Sequence, residues 1–173
     1  MQGILRSVVS FLVGKGKSWY DFKGMFMNVE RRNAVTKLWH LKKMLEAGIR
    51  GKQEIVVTED KTARRYGSGT LDVFATPAMI ALMENTAYKS VEEALEEGAG
   101  TVGTEMNVKH VAATPVGMKV TCETELVKVE GRALTFLVKA YDECGLIGEG
   151  VHQRFVIMEE KFQTKTNGKL ENA

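Results

Sequence analysis

Cysteine is nearly absent: Cys122 and Cys144 are the only two in 173 residues. Two cysteines build no disulfide framework and match no zinc-ligand spacing, so both thiols are expected reduced, in or near strands. Long apolar runs are absent as well. Nothing approaches the roughly 18–20 apolar residues that a membrane-spanning helix needs. The segment nearest to a secretory leader, "ILRSVVSFLVG" (4–14), has no basic region before it, carries Arg6 inside it and shows no small-x-small cleavage site. A cytoplasmic protein with no membrane partner is expected. A strong net charge is missing too, since 24 Lys/Arg against 22 Asp/Glu leave +2.

What is present, 44% hydrophobic and 27% charged residues, suits one globular domain with an extension. The small net charge hides an asymmetry. Residues 1–43 carry nine Lys/Arg and two acids, and residues 44–173 carry fifteen Lys/Arg and twenty acids. This is a basic N-terminal extension on an acidic domain. In "VERRNAVTKLWHLKKML", Val35, Leu38, Leu41 and Leu45 recur at helical spacing. The arm could touch nucleic acid or an anionic membrane surface, but no turn signal divides two helices as a helix-turn-helix requires. "VGKGKS" (13–18) resembles the end of a phosphate-binding loop. That motif needs Gly five residues before Gly16, where Phe11 stands. Met44 opens "MLEAGIRGKQEIVV", which reads as the start of a compact domain, and translation from Met44 would leave residues 1–43 outside the native protein.

The domain over 44–162 reads as α+β. "KQEIVVTE" (52–59) predicts a strand and "YGSGTLD" a loop. In "ATPAMIALMENTAYKS", Thr76 occupies the N-cap position and Pro77 the first helical one, with a helix from 77 to about 89. Ser90 and Glu93 form a capping box that predicts a second short helix to Glu97. Four strands follow, at 101–110, 118–129, 132–142 and 146–158, joined by turns at 112–117, Glu130–Gly131 and "ECG". On the first of them Val102, Thr104, Met106, Val108 and His110 alternate onto one face. From Gln163 to Ala173 the tail is polar and expected to fray. One helix among many strands argues a long antiparallel sheet with helices on one face. A helix as apolar as Ala78–Met83 must be covered nearly all round, which a sheet curled about it achieves, above all if two copies pair sheet edge to sheet edge.

Glu84 interrupts that apolar helix. An unpaired buried carboxylate is costly, so it reaches solvent, finds a donor or serves a site. Thr76 lies eight residues earlier, within about 80° around the helix axis, and His110 ends a mostly apolar strand face. A hydroxyl, a carboxylate and an imidazole on elements that pack together suit acyl transfer, with a backbone N–H near a glycine to hold the oxyanion.

"VFATPAMIALME", "TVGTEMNVKHVAATPVG", "VEGR" and "IGEGVHQRFVI" occur in that order and at intervals that resemble the hotdog-fold thioesterases, specifically the fluoroacetyl-CoA thioesterase family. The resemblance spans residues 48–162, about two-thirds of the chain. It implies a curved antiparallel sheet wrapped round a long central helix, a homodimer, and hydrolysis of acyl-CoA with no metal or redox cofactor. It implies a Thr76, Glu84, His110 active site, in which Thr76 and Glu84 orient and activate the nucleophile and His110 is general base or acid. It further implies Gly103 as a contact to the thioester oxygen and Arg154 as a binding group for CoA phosphates or the acyl carbonyl region. Thr70 stands where the fluoroacetate-specific member has a bulky aromatic lid residue, so a different lid and a short-chain acyl-CoA substrate are expected. Two other readings are an acyl-CoA-binding sensor of the same fold whose basic arm contacts DNA, and a dehydratase of the same fold.

Overall fold

A computed structural model describes residues 45–171; the basic arm lies outside the described residues. Met44–Ala173 forms one compact unit. Its elements are β1 (Arg50–Val56), a one-turn helix α1 (Ala63–Tyr66), α2 (Thr76–Val91), β2 (Ala99–His110), β3 (Lys119–Glu130), β4 (Ala133–Asp142), β5 (Gly145–Met158) and α3 (Glu159–Asn167). The strands form a single antiparallel sheet in the order β1-β3-β4-β5-β2, so β1 and β2 are its edges. This is the α+β hotdog arrangement expected from the sequence. No helix among the described residues is long and apolar enough to cross a membrane.

Strand alternation builds the core. Val120, Cys122 and Leu126 of β3 and Leu134, Phe136, Val138 and Ala140 of β4 all point to the side on which α2 lies, and each is at most 1% exposed. From α2, Ala78, Met79, Leu82, Met83, Ala87 and Val91 pack down onto them. Burial pushes the Cys122 thiol up to about 11, and Cys144 is exposed; both are free. The β3–β4 turn falls at the expected place because Gly131 takes φ +59° there, a left-handed conformation that costs glycine little.

Several expectations are corrected. The first strand starts and ends earlier, since Glu59–Lys61 turns into a 3-10 helix, and α1 was not anticipated. Ser90 opens no second helix. Its hydroxyl donates to the Ala87 carbonyl at 2.7 Å, and α2 continues to the fully buried Val91 before a short 3-10 turn at Glu92–Ala94. The C-terminal segment is helical over Glu159–Asn167 rather than frayed. The sheet also covers α2 on one side only. Thr76, Pro77, Ala81 and Asn85 are exposed, and Ile80, Glu84 and Tyr88 half-buried, leaving an open stripe along the helix.

The strand face assigned to β2 is corrected as well. The β2–β5 register shifts between Gly103 and Glu105, so Thr104 is an extra, bulged residue. Gly103 pairs with Arg154 and Met106 with His152, while Val102 pairs with Phe155. The bulge therefore puts Gly103 on the helix side with Met106, Val108 and His110, and turns Val102 to the other.

Candidate active site

Thr76 and His110 meet directly. The helix α2 begins one residue earlier than expected: Thr76 is its first residue, Ala75 is the N-cap, and the threonine hydroxyl caps nothing. It lies instead 2.8 Å from His110 Nδ1. His110 is the last residue of β2, and the helix-facing alternation after the bulge aims its ring at the start of α2. Burial pushes its pKa below the ordinary histidine value, with the backbone of Ala112 opposing. The neutral ring, with one nitrogen free to accept a proton, is thereby favoured. Among the described residues Nε2 has no hydrogen-bond partner, although it is buried.

Glu84, Gly103 and Arg154 form a second group. The Glu84 side chain is 43% exposed on the open stripe, and its Oε1 lies 3.9 Å from Arg154 Nη1 and 3.9 Å from His152 Nε2. A Cβ on Gly103 would collide with Glu84 Oε1 and come within 3.2 Å of His152 Cε1, so the missing side chain leaves room for the carboxylate in this position. Arg154 is 7% exposed. Its Nε donates to Thr101 Oγ1 at 2.8 Å, Nη2 to the Thr101 carbonyl at 2.8 Å, and Nη1 to His152 Nε2 at 3.0 Å and more weakly to the Glu84 carbonyl at 3.5 Å. It is a buried, fully engaged cation rather than a surface salt-bridge partner. Burial pulls its pKa down, against the pull of Glu84.

The structure thus brings Thr76 to His110 and Glu84 to Gly103 and Arg154. Among the described residues no hydrogen bond joins the two groups. Eight helical residues rise about 12 Å, so Thr76 and Glu84 are two stations on one helix. An apolar groove of about 610 Å³ lies elsewhere, beneath α3 between Leu95, Met158 and Phe162, and none of the five site residues lines it.

The sequence profile of the fluoroacetyl-CoA-specific thioesterases, FlK, matches residues 57–160. The fluoroacetyl-CoA thioesterase of Streptantibioticus cattleyicolor is 39% identical over 135 residues, covering 75% of this chain and 97% of that protein. The chain belongs to the fluoroacetyl-CoA thioesterase family. Membership makes it a thioesterase-type acyl-CoA hydrolase. A solved structure of FlK aligns with a TM-score of 0.69 at 40% identity, covering 73% of this chain and 98% of that one. A thioesterase superfamily member from Thermus thermophilus gives a TM-score of 0.69 at 30% identity, covering 75% and 96%. A point variant of FlK in complex with fluoroacetate and CoA is 41% identical, covers 68% and 99%, and gives a TM-score of 0.65.

Beside the five expected residues this family member places two more. Thr101 supplies two of the oxygens that hold Arg154, and His152 sits between Arg154, Glu84 and β2. The signal for His152 was its i, i+2 spacing to Arg154 on one strand, which puts both on the same face. Nothing in the sequence marked Thr101.

Proposed function

We propose that this protein hydrolyses a short-chain acyl-CoA thioester to the free acid and CoA, using Thr76, Glu84 and His110. The 2.8 Å contact between Thr76 Oγ1 and His110 Nδ1 carries the reading, because it pairs a hydroxyl with a base within proton-transfer reach. In the forward step Thr76 Oγ bonds to the thioester carbonyl carbon as its proton passes to His110. The C–S bond then breaks, and His110 returns the proton to the departing thiolate. Water then attacks the acyl-threonine as Glu84 takes its proton; the acyl–Oγ bond breaks and that proton passes to Thr76 Oγ, which restores the hydroxyl and the carboxylate. Gly103, with no side chain, admits the thioester oxygen to the backbone. Arg154, at 7% exposure, addresses the acyl end rather than the phosphates of CoA. Thr70 is exposed in the loop before α2 and leaves that side of the acyl site without an aromatic lid, which fits a general short-chain substrate.

The working unit in this proposal is a homodimer. β2 is an edge strand of 12 residues, and the open stripe of α2 lies on the face that it borders. Antiparallel pairing of two copies of β2 carries the His110 end of one strand toward the Gly103 end of the other. The two groups, about 12 Å apart along one helix, then meet across the pair. The test is thiol release over a panel of acyl-CoAs of increasing chain length, with Thr76→Ala and His110→Ala as controls. Turnover of short-chain members, lost in both variants, is expected. Tight binding of acyl-CoA without turnover by the unmodified protein would overturn the reading.

A further inference from the structure

The helix-facing side of β5 carries a histidine that the Thr76, Glu84, His110 reading leaves unused. His152 is fully buried at 0% exposure. In register with it, across β4, stands the core residue Phe136, whose ring centroid is 6.3 Å away. An imidazole in a position that β4 fills with phenylalanine gives up apolar packing and must find partners for both nitrogens.

Both partners are present, and they fix its state. His152 Nδ1 lies 2.8 Å from the Glu105 carbonyl oxygen, which can only accept, so Nδ1 carries the hydrogen. Nε2 then holds a lone pair, and Arg154 Nη1, which can only donate, lies 3.0 Å from it. A protonated ring would set two donors against each other beside a guanidinium. The charged and titratable groups that face the ring are Arg154 from β5 and Glu84 from α2; β2 presents only the Glu105 carbonyl, since the Glu105 carboxylate accepts from Gln153. Burial and, more weakly, the Arg154 charge push the His152 pKa below its ordinary value, against the Glu105 carbonyl and the Glu84 carboxylate.

The two bonds run through the ring from the bulge of β2 to the Nη1 side of the Arg154 guanidinium. Glu105 follows the bulged Thr104, so its carbonyl anchors the distortion that turns Gly103 toward Glu84. Arg154 is held on one side by Thr101 through Nε and Nη2. Nη1, the nitrogen nearest Glu84, has only His152 Nε2 as a short acceptor, because the Glu84 carbonyl is at 3.5 Å.

We propose that His152 is a positioning residue of this site: a neutral imidazole that clamps the β2 bulge through Glu105 and steers the Arg154 guanidinium toward the Glu84 carboxylate. The proposal rests on the thioesterase reading and deepens it. His152 acts through Arg154 and touches no substrate. Its removal therefore lowers kcat and leaves KM for acyl-CoA nearly unchanged.

The test compares His152→Asn and His152→Gln in full-length protein, alone and with Arg154→Ala. Asparagine keeps an N–H near the Nδ1 position for Glu105 but offers Arg154 nothing. Glutamine can present an oxygen near the Nε2 position. Losing an acceptor for a charged donor is worth roughly a tenfold to hundredfold drop in kcat. That drop is expected in His152→Asn with KM within about twofold of the unmodified protein. Glutamine should recover most of the loss, and asparagine should cost nothing further once Arg154 is alanine. Thermal melts taken alongside keep folding losses apart from these ratios. Losses that simply add in the Arg154→Ala background, or a glutamine variant no better than the asparagine one, would overturn the proposal. If the unmodified protein turns over no acyl-CoA, the thioesterase reading fails instead, and nitrogen NMR of the three histidines judges the placement. His152 must then titrate below the ordinary value of about 6.5 as the Nδ1–H tautomer, and the Arg154 Nε–H signal must move in His152→Asn. An Nε2–H tautomer, or an unmoved arginine signal, rejects it.

Discussion

Glu84→Gln separates the two things a carboxylate in a packed helix can do. The substitution keeps the size and shape of the side chain, so it opens no cavity, and it removes one charge. That charge faces Arg154 Nη1 at 3.9 Å. A pair of unit charges about 4 Å apart is worth about 1 kcal/mol in water and about 4 kcal/mol at the effective dielectric of a protein surface. With the Glu84 side chain 43% exposed, the lower figure governs. Arg154 keeps its bonds to Thr101 and His152, so it is not stranded by the change. The expected cost to folding is about 1 kcal/mol, a fall in Tm of roughly 3–6 °C for a domain of this size. A positioned base contributes about 10²–10⁴-fold to rate, and kcat should fall by that range.

The two readouts are a calorimetric melt and thiol release at saturating acyl-CoA. The reasoning requires a large kcat loss with a small Tm loss. A kcat within about threefold of the unmodified protein, or a melt lowered by more than about 10 °C, would show that Glu84 serves the fold and that the open stripe of α2 is not a site.

Two further outcomes follow from the same geometry. Mixing His110→Ala with Glu84→Gln, each inactive alone, should restore roughly a quarter of the unmodified rate after subunit exchange, since half the dimers are mixed and each mixed dimer has one intact site; no recovery would place the whole site within one chain. The depressed pKa values of His110 and His152 mean that the unfolded chain binds more protons than the folded one as pH falls below about 6.5. Stability should therefore be full above that value and decline as pH drops toward the lowered folded pKa values, and the acid limb of kcat should lie below about 6.5. An acid limb above 7, or a stability that rises on acidification through this window, would contradict neutral histidines.

Regular periodicity was read with little error. The alternations of β3 and β4 and the apolar run of α2 placed the core, because the burial of those side chains repeats the strand and helix periods. Errors came where tertiary contacts override the local pattern. Ser90 and Glu93 make a sound capping box on paper, yet Val91 gains more by packing onto the sheet than Ser90 gains by capping, and the helix runs through. Thr76 reads as an N-cap until His110 claims its hydroxyl. A single extra residue, Thr104, is silent in composition and spacing, yet it reverses the face of every residue on one side of it. Strict alternation without the extra residue groups Val102 with His110 and leaves Gly103 off that face. The pairing of Arg154 with a buried acceptor on β2 was equally invisible, because Thr101 is an ordinary strand threonine whose partner is 53 residues away.

The carboxylate in the apolar helix follows from where the core stops. On β3 and β4 the positions facing α2 are filled by Leu126, Leu134 and Phe136; on β5 the corresponding positions are His152 and Arg154, and on β2 they are Met106 and Gly103, with Thr101 two residues before Gly103. Polarity thus enters the helix-facing side of the sheet at β5 and continues at Gly103 and Thr101 of β2. α2 lies over both regions, so the side that meets β3 and β4 is apolar and the side that reaches β5 and β2 is not. Glu84 stands on that second side, opposite a cation that needs it and a glycine that makes room for it. A leucine there would remove the only carboxylate beside Arg154 among the described residues, at a cost of about 1 kcal/mol for a pair this exposed. A side chain at Gly103 would push the Glu84 carboxylate away from its place beside Arg154. The acid is therefore placed by the same edge that carries the candidate site, and under the proposed dimer that edge is the strand a second copy of the chain would pair with.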